Sequence, residues 1–138
     1  MSFGTLLALY GICTAVFFAL DLVWLSTATS RVYRPYLGNV LAEKPKMGVA
    51  AAFYLAYVVG IIALAVMPGL REGDVVGALW RGALFGFLAY ATYDLTNLST
   101  IRDWPWQVSV VDMAWGTVLN SAVAVVGFYA GGWLGLGG

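Results

Sequence analysis

From Met47 to Leu70 the chain reads MGVAAAFYLAYVVGIIALAVMPGL, without a single charged residue. About 20 apolar residues are enough to cross the roughly 30 Å hydrocarbon layer as a helix, which rises about 1.5 Å per residue. Strands of membrane barrels are different, because they alternate in polarity over roughly 10 residues. The stretch therefore predicts a transmembrane helix.

Three further stretches, residues 1–30, 82–101 and 104–138, are also apolar, and the only charged residue in each of them is an aspartate. These residues are Asp21, Asp94 and Asp112. We therefore predict an all-α polytopic membrane protein, a bundle of four transmembrane helices in a single domain. The domain covers residues 1–138, and the predicted spans are 3–29, 47–66, 76–100 and 107–133.

The composition of the whole chain agrees with this reading. Of 138 residues, 62% are hydrophobic and 10% are charged, against about 25% charged in a soluble domain. Seven basic and seven acidic residues balance, so no nucleic-acid partner is predicted, and the lipid bilayer is the expected environment. The absence of histidine excludes imidazole catalysis, and Cys13, the only cysteine, excludes an internal disulfide. No metal site is predicted and no cofactor is identified.

The basic residues predict the orientation of the chain. Cytoplasmic loops carry the excess of lysine and arginine, which places loops 1 and 3 in the cytoplasm and both termini outside, in the inner membrane of a bacterium. Loops 1 and 3 carry Arg31, Arg34, Lys44, Lys46 and Arg102, whereas the opposite side carries Arg71 and Arg81.

Loop 1 also carries a helical pattern of its own. Its apolar and aromatic residues recur at helical spacing, with Arg31 and Arg34 off that stripe, which predicts a short helix lying in the membrane interface. The stripe consists of Val32, Tyr33, Tyr36, Leu37, Val40 and Leu41.

Two pairs of glycines predict close contact between helices. Gly82-x-x-x-Gly86 and Gly127-x-x-x-Gly131 have the spacing that lets helix backbones approach one another in a membrane. They indicate bundle packing and carry no chemistry.

A short sequence repeat connects the first and third spans. Residues 21–27 read DLVWLST and residues 94–100 read DLTNLST, with five of seven positions identical. Because these two spans run in the same direction, the repeat predicts two hairpins related by an axis along the membrane normal. Chance similarity in apolar sequence is the alternative. The Asp-x-x-Trp pattern of residues 21–24 recurs at 112–115, in a helix that runs the other way.

The three membrane aspartates lie at similar depths below the face that bears loops 1 and 3. Helical rise places Asp21 about 13 Å, Asp94 about 12 Å and Asp112 about 9 Å along their helices from that face. A charged residue at membrane depth costs at least ~2.5–3.5 kcal/mol and usually faces the bundle interior. We therefore predict an inward pocket, with Tyr33, Tyr36, Arg31, Arg34 and Arg102 near enough to cover it. Its predicted lining is Asp21, Trp24, Tyr90, Asp94, Asn97, Asp112 and Trp115.

Three nearby carboxylates in low dielectric cannot all be ionised without compensation. One of them can be protonated, which permits proton coupling or general acid catalysis. A metal ion or a substrate ammonium can lie among them, the ammonium held by Trp24 and Trp115 through cation–π contact. Arginines can reach in and neutralise them. A purely structural polar cluster that fixes helix register is the remaining reading.

At this point the chain resembles a known bacterial family, the one named domain of unknown function 2177. The similarity rests on residues 82–98 (GALFGFLAYATYDLTNL), Trp104-Pro105, residues 110–117 (VVDMAWGT), residues 21–25 (DLVWL) and residues 36–38 (YLG). The resemblance implies a small four-span inner-membrane protein, with no activity attached. Similar proteins are encoded near lipid-modifying genes such as cyclopropane-type fatty-acid synthases, which favours a lipid.

Three functions remain open, and whether the protein is an enzyme is not decided by the sequence. The first is binding or acting on a lipid or other amphiphile from the cytoplasmic leaflet. The second is proton-coupled transport of a small cation or amphiphile, as a homodimer, and the third is a structural or accessory role. In the first, Asp21, Asp94 and Asp112 are the candidate acid–base residues, and the substrate-binding candidates are Trp24, Tyr33, Tyr36, Tyr90, Asn97 and Trp115.

Overall fold

A computed structural model describes residues 2–38, 40–41 and 46–136, and four long helices contain most of them. All four are long and apolar enough to cross a membrane, which confirms the predicted all-helical membrane fold. Lys44, used above to predict the orientation, lies outside the described residues. The helices are α1 (Phe3–Leu37), α2 (Met47–Glu72), α3 (Val75–Thr100) and α4 (Trp106–Trp133).

Helices α2 and α3 form a tight antiparallel hairpin. Gly73 follows α2 with φ of +65°, a left-handed conformation that glycine adopts without steric cost. Asp74 then caps α3, because its side chain accepts a hydrogen bond of 3.0 Å from the backbone N–H of Val76. Two residues therefore suffice to reverse the chain, so that α2 and α3 lie side by side.

Both α1 and α2 contain a π-helical turn directly before a proline. The turns are Thr29–Tyr33 and Ile62–Val66, and the prolines are Pro35 and Pro68. A proline has no N–H to donate, and its ring clashes with the carbonyl four residues earlier. The wider π turn changes the hydrogen-bond register at this point, so each helix continues past its proline.

The continuation of α1 changes the prediction for loop 1. Instead of ending near residue 29 and giving way to a separate interfacial helix, α1 runs on through its π turn to Leu37. Four of the residues predicted as an interfacial helix, Val32, Tyr33, Tyr36 and Leu37, are therefore in the last turns of α1, whereas Val40 and Leu41 follow its end and are exposed. Leu37 itself is buried. This segment consequently packs onto the bundle, with Leu37 in a small cluster with Trp104 and Val108.

Helices α3 and α4 make the closest contact in the bundle, at glycine positions. A methyl group added at Gly86 would lie 2.3 Å from the carbonyl oxygen of Gly116, and one added at Gly82 would lie 2.7 Å from Ala124. A methyl group added at Gly127 would lie 2.7 Å from Val66 of α2. The Gly82 and Gly86 motif therefore brings helix backbones together, as its spacing predicts. The Gly127 and Gly131 motif instead makes room for the side chains of Val66 and Leu70.

The apolar core lies in one half of the bundle, near the α2–α3 hairpin. Fully buried side chains from all four helices meet there, among them Leu9, Val66, Ala78 and Val123. At the same end of the molecule Arg81 pairs with Glu72 at 2.5 Å. The first half of α2 is different: Met47, Val49 and Phe53 are all exposed. The bundle is thus tightly packed at one end and more open at the other.

Candidate functional site

A cavity of about 1000 Å³ occupies the open end of the bundle. All four helices contribute to it, at the end where α1 and α3 finish and α2 and α4 begin. Its wall is mainly aromatic, and the charged side chains that line it are Asp21, Asp112 and Arg34. The aromatic lining consists of Phe17, Trp24, Tyr33, Phe53, Tyr54, Tyr57, Tyr90, Tyr93, Trp104 and Trp115.

The two Asp-x-x-Trp motifs of α1 and α4 meet across this cavity. The indoles of Trp24 and Trp115 stack with their ring centroids 4.7 Å apart and their planes within 7° of parallel. The indole N–H of Trp115 donates a 3.2 Å hydrogen bond to Oδ1 of Asp21. The tryptophan of one motif is thus bonded to the aspartate of the other.

Tyr33 completes the reciprocal connection. The indole N–H of Trp24 donates to the Tyr33 hydroxyl at 3.1 Å, and that hydroxyl donates to Oδ1 of Asp112 at 2.6 Å. Tyr33 is the last residue of the π turn in α1, and a π turn changes the direction in which the following side chains point. The turn before Pro35 therefore helps to aim Tyr33 at α4.

The repeat between the first and third spans has a local structural counterpart. In both copies the serine and threonine hydroxyls donate to the backbone carbonyl three or four residues earlier, at equivalent positions. These bonds span 2.7 to 3.3 Å and join Ser26 and Thr27 to Val23, and Ser99 and Thr100 to Thr96. The two-hairpin repeat itself stays a prediction, since the contacts across the cavity relate α1 to α4.

Asp94 has a different environment from the other two acids. Its side chain is fully buried, and neither carboxyl oxygen has a hydrogen-bond partner in the part of the chain that the structure describes. The backbone carbonyl of Asp94 accepts a 2.9 Å bond from Ser109, whose hydroxyl accepts one from Trp104. The Asp94 carboxyl lies beside that of Asp112. Because Asp112 lines the cavity and Asp94 does not, Asp94 lies behind the cavity wall.

The predicted site residues divide into two groups by position. Six line the cavity: Asp21, Trp24, Tyr33, Tyr90, Asp112 and Trp115. The structure differs from the predicted lining at Asp94 and Asn97, which do not face the cavity, and Tyr36 is on the exposed side of α1. Of the three arginines predicted to cover the pocket, only Arg34 lines it. The functional roles of all these residues stay predictions.

Helix α2 contributes aromatic side chains to the cavity that the sequence patterns did not predict. Phe53, Tyr54 and Tyr57 line it, and the Tyr54 side chain lies beside the Asp21 carboxyl. Their spacing places Phe53 and Tyr57 one helical turn apart on one face. This aromatic face of α2 could have been recognised from the sequence. It was not, because the prediction of the pocket started from the membrane aspartates and α2 has none.

The acids of the cavity can accept hydrogen bonds or carry protons, but their arrangement does not resemble a metal-binding site. In the described ranges no three histidine, cysteine, aspartate or glutamate side chains converge closely enough to hold a metal ion. Asp21 accepts a bond at Oδ1 from Trp115, and Asp112 accepts one at Oδ1 from Tyr33. Both carboxyl groups line the cavity and can contact a ligand there.

We expect Tyr33→Phe to destabilise the protein, because it removes the hydroxyl between Trp24 and Asp112. A hydrogen bond to a charged group contributes about 1.5–3 kcal/mol, and the unfolding midpoint in detergent should fall accordingly. Tyr36→Phe is the matched control, since Tyr36 is exposed and its hydroxyl makes no bond within the described residues. Equal effects of the two substitutions would contradict the bonding role of Tyr33.

Comparison with known proteins gives one match. No curated protein matches the chain, and no solved structure matches it either. A family described as a predicted membrane protein matches residues 6–129, which include all three membrane aspartates and both Asp-x-x-Trp motifs. The chain therefore belongs to the family of predicted membrane proteins named domain of unknown function 2177.

Proposed function

We propose that the protein binds one lipid or other amphiphile in the aromatic cavity. The ligand enters from the leaflet at the end of the bundle that bears loops 1 and 3, which the basic residues assign to the cytoplasm. The observation that carries this proposal is the cavity of about 1000 Å³, with aromatic walls and with its acids between α1 and α4.

The size and chemistry of the cavity support an amphiphile. Binding pockets for small molecules usually measure about 300–1000 Å³ and combine apolar walls with a few polar groups that orient the ligand. This cavity is at the upper end of that range. Asp21, Asp112 and Tyr33 supply the polar groups, and Phe17 and Tyr57 supply apolar surface for a chain.

The loose packing of α2 supports entry from the side. The first half of α2 leaves Met47 and Val49 exposed and contributes to the cavity chiefly through its aromatic face. In a membrane this surface lies against lipid chains. Because Phe53 is both exposed and part of the cavity lining, a hydrocarbon chain could enter the cavity beside it.

If the protein also acts on its ligand, the pair of Asp94 and Asp112 is the candidate for the chemistry. Two neighbouring carboxyl groups in low dielectric cannot both be ionised without compensation, so such a pair is suited to exchanging one proton. Asp112 lines the cavity and would contact the ligand. Asp94 would act through Asp112, as the second member of the pair.

Filling the cavity tests the proposal. Ala89 lines it, so we expect Ala89→Phe to reduce the amount of lipid that remains bound after purification about tenfold, equivalent to ~1.4 kcal/mol. The bound lipid is extracted and quantified by mass spectrometry. Ala114→Phe is the matched control, because Ala114 is exposed on α4 just before Trp115. Equal lipid retention by both variants would rule out the cavity as the binding site.

Proton-coupled transport is the second candidate, favoured by one observation. Asp94 is a fully buried carboxyl without a hydrogen-bond partner in the described ranges, and such acids form proton relays in transporters. The expected assay is proton movement in reconstituted vesicles. Asp94→Asn should abolish it, and Asp103→Asn, an exposed acid in the α3–α4 turn, should not.

A further inference from the structure

We infer that the group recognised in the cavity is an organic ammonium carried by the amphiphile. The inference rests on the proposed function, since it names the chemical class of the ligand for the same cavity. It comes from the charges in the lining, from the aromatic surfaces beside them and from the unpartnered carboxyl of Asp94.

The charges in the cavity favour a cation. Asp21 on α1 and Asp112 on α4 both line it, so the cavity has two acidic groups. Arg34 is the basic side chain among the described lining residues. It follows Asp21 by more than three helical turns, so it lies nearer the mouth of the cavity. At the depth of Asp21 and Asp112, no basic side chain is among the described lining residues.

The aromatic surfaces favour an organic cation over a metal ion. A cation is attracted to the face of an aromatic ring, most strongly to tryptophan. The stacked indoles of Trp24 and Trp115 are connected by hydrogen bonds to Asp21 and, through Tyr33, to Asp112. Tyr54 and Tyr90 add further rings. Hard metal ions prefer several converging oxygen ligands at short distance, and the described acids do not converge in that way.

Asp94 lies behind the cavity wall and adds a second buried carboxyl group next to Asp112. Neither of its oxygens accepts a hydrogen bond from a described donor, and a fully buried polar group in this position is unfavourable. Its carboxyl lies beside that of Asp112. An ammonium bound at Asp112 from the cavity side would compensate the negative potential of both acids, which nothing else in the described lining does at that depth.

Binding of lipids with equal acyl chains tests the inference. Purified protein in detergent is titrated with phosphatidylethanolamine, phosphatidylglycerol and diacylglycerol, and the bound lipid is counted by native mass spectrometry. Free ethanolamine, which has the ammonium but no chain, is a separate arm. We expect phosphatidylethanolamine to bind at least tenfold more tightly than the other two lipids.

Two acid variants and one control test whether the preference for phosphatidylethanolamine depends on the acids of the cavity. Asp112→Asn should abolish the preference for the amine while leaving the chain-dependent binding of diacylglycerol in place. Asp21→Asn should weaken the preference in the same way, and serves if the first variant does not fold. Asp103→Asn removes an acid at the same end of the molecule but outside the cavity, and should bind as the wild type does.

The outcomes separate this inference from the proposed function. Equal binding of all three lipids by the wild type would overturn the ammonium inference and leave the proposed function standing. Binding of none of them would overturn both. Free ethanolamine binding as tightly as the aminolipid would support the ammonium site and overturn the amphiphile as ligand. A preference that persists in both acid variants would also overturn the inference.

Discussion

Gly86→Ala is expected to destabilise the bundle by about 1–3 kcal/mol or more, the cost of forcing extra atoms into a close-packed contact. The added methyl group would lie 2.3 Å from the carbonyl oxygen of Gly116 and 2.6 Å from the side-chain amide of Asn120. The first of these is backbone, so no side chain can rotate away to relieve the contact. Helix α3 would have to move away from α4.

The measurement is the unfolding midpoint in detergent, compared with that of Gly11→Ala. Gly11 is also in the interior of a transmembrane helix, but a methyl group there would meet nothing within 4 Å. The two variants therefore have the same change in helix propensity and differ only in packing. If Gly86→Ala were as stable as Gly11→Ala, the close α3–α4 contact would not contribute to stability.

Asp94→Asn is expected to have the opposite effect on stability, together with loss of function. The Asp94 carboxyl is buried beside that of Asp112, and two such groups repel each other when both are ionised. The amide of asparagine has nearly the same shape, carries no charge and can donate a hydrogen bond to Asp112. We therefore expect the unfolding midpoint to rise while the lipid-dependent activity or proton movement disappears. Such a gain in stability at the expense of function is common at functional sites.

Asp21→Asn supplies the comparison for this prediction. Asp21 accepts a hydrogen bond from Trp115, and a bond to a charged group is stronger than one to a neutral amide. The same substitution should therefore lower the stability at position 21 and raise it at position 94. If both variants were destabilised, Asp94 would have a structural partner, and the reading of the acids as a polar packing cluster would gain support.

The transmembrane helices could be predicted because the bilayer imposes a length and a polarity on each of them. The same physical reason made the aspartates conspicuous, since a charge at membrane depth needs a special environment. Asp21 and Asp112 were therefore predicted to face inward together with Trp24 and Trp115, and all four line the cavity. The Asp-x-x-Trp pattern recurs in α4, but the hydrogen bond between Trp115 and Asp21 was visible only in the structure.

Other features depend on how the helices are rotated against one another, which the pattern of one helix does not determine. Helical spacing places Asp94 on one face of α3, but whether that face meets the cavity or the backbone of α4 depends on the glycines that bring those helices together. The extension of α1 past Pro35 depends on a π turn that has no reliable sequence signal. Both differences from prediction therefore arise from tertiary contacts.

The reciprocal contacts between α1 and α4 also have a consequence for biosynthesis. Asp21 enters the membrane with the first span, whereas its hydrogen-bond donor Trp115 is 94 residues further along the chain. At roughly 5–20 residues per second, ribosomal synthesis of that interval takes about 5–20 s. During this time Asp21 lacks the hydrogen bond from Trp115, and of its two described side-chain neighbours only Tyr54 of α2 has been synthesised. A chain interrupted before its last span would therefore carry a membrane acid that is less well compensated than in the finished protein.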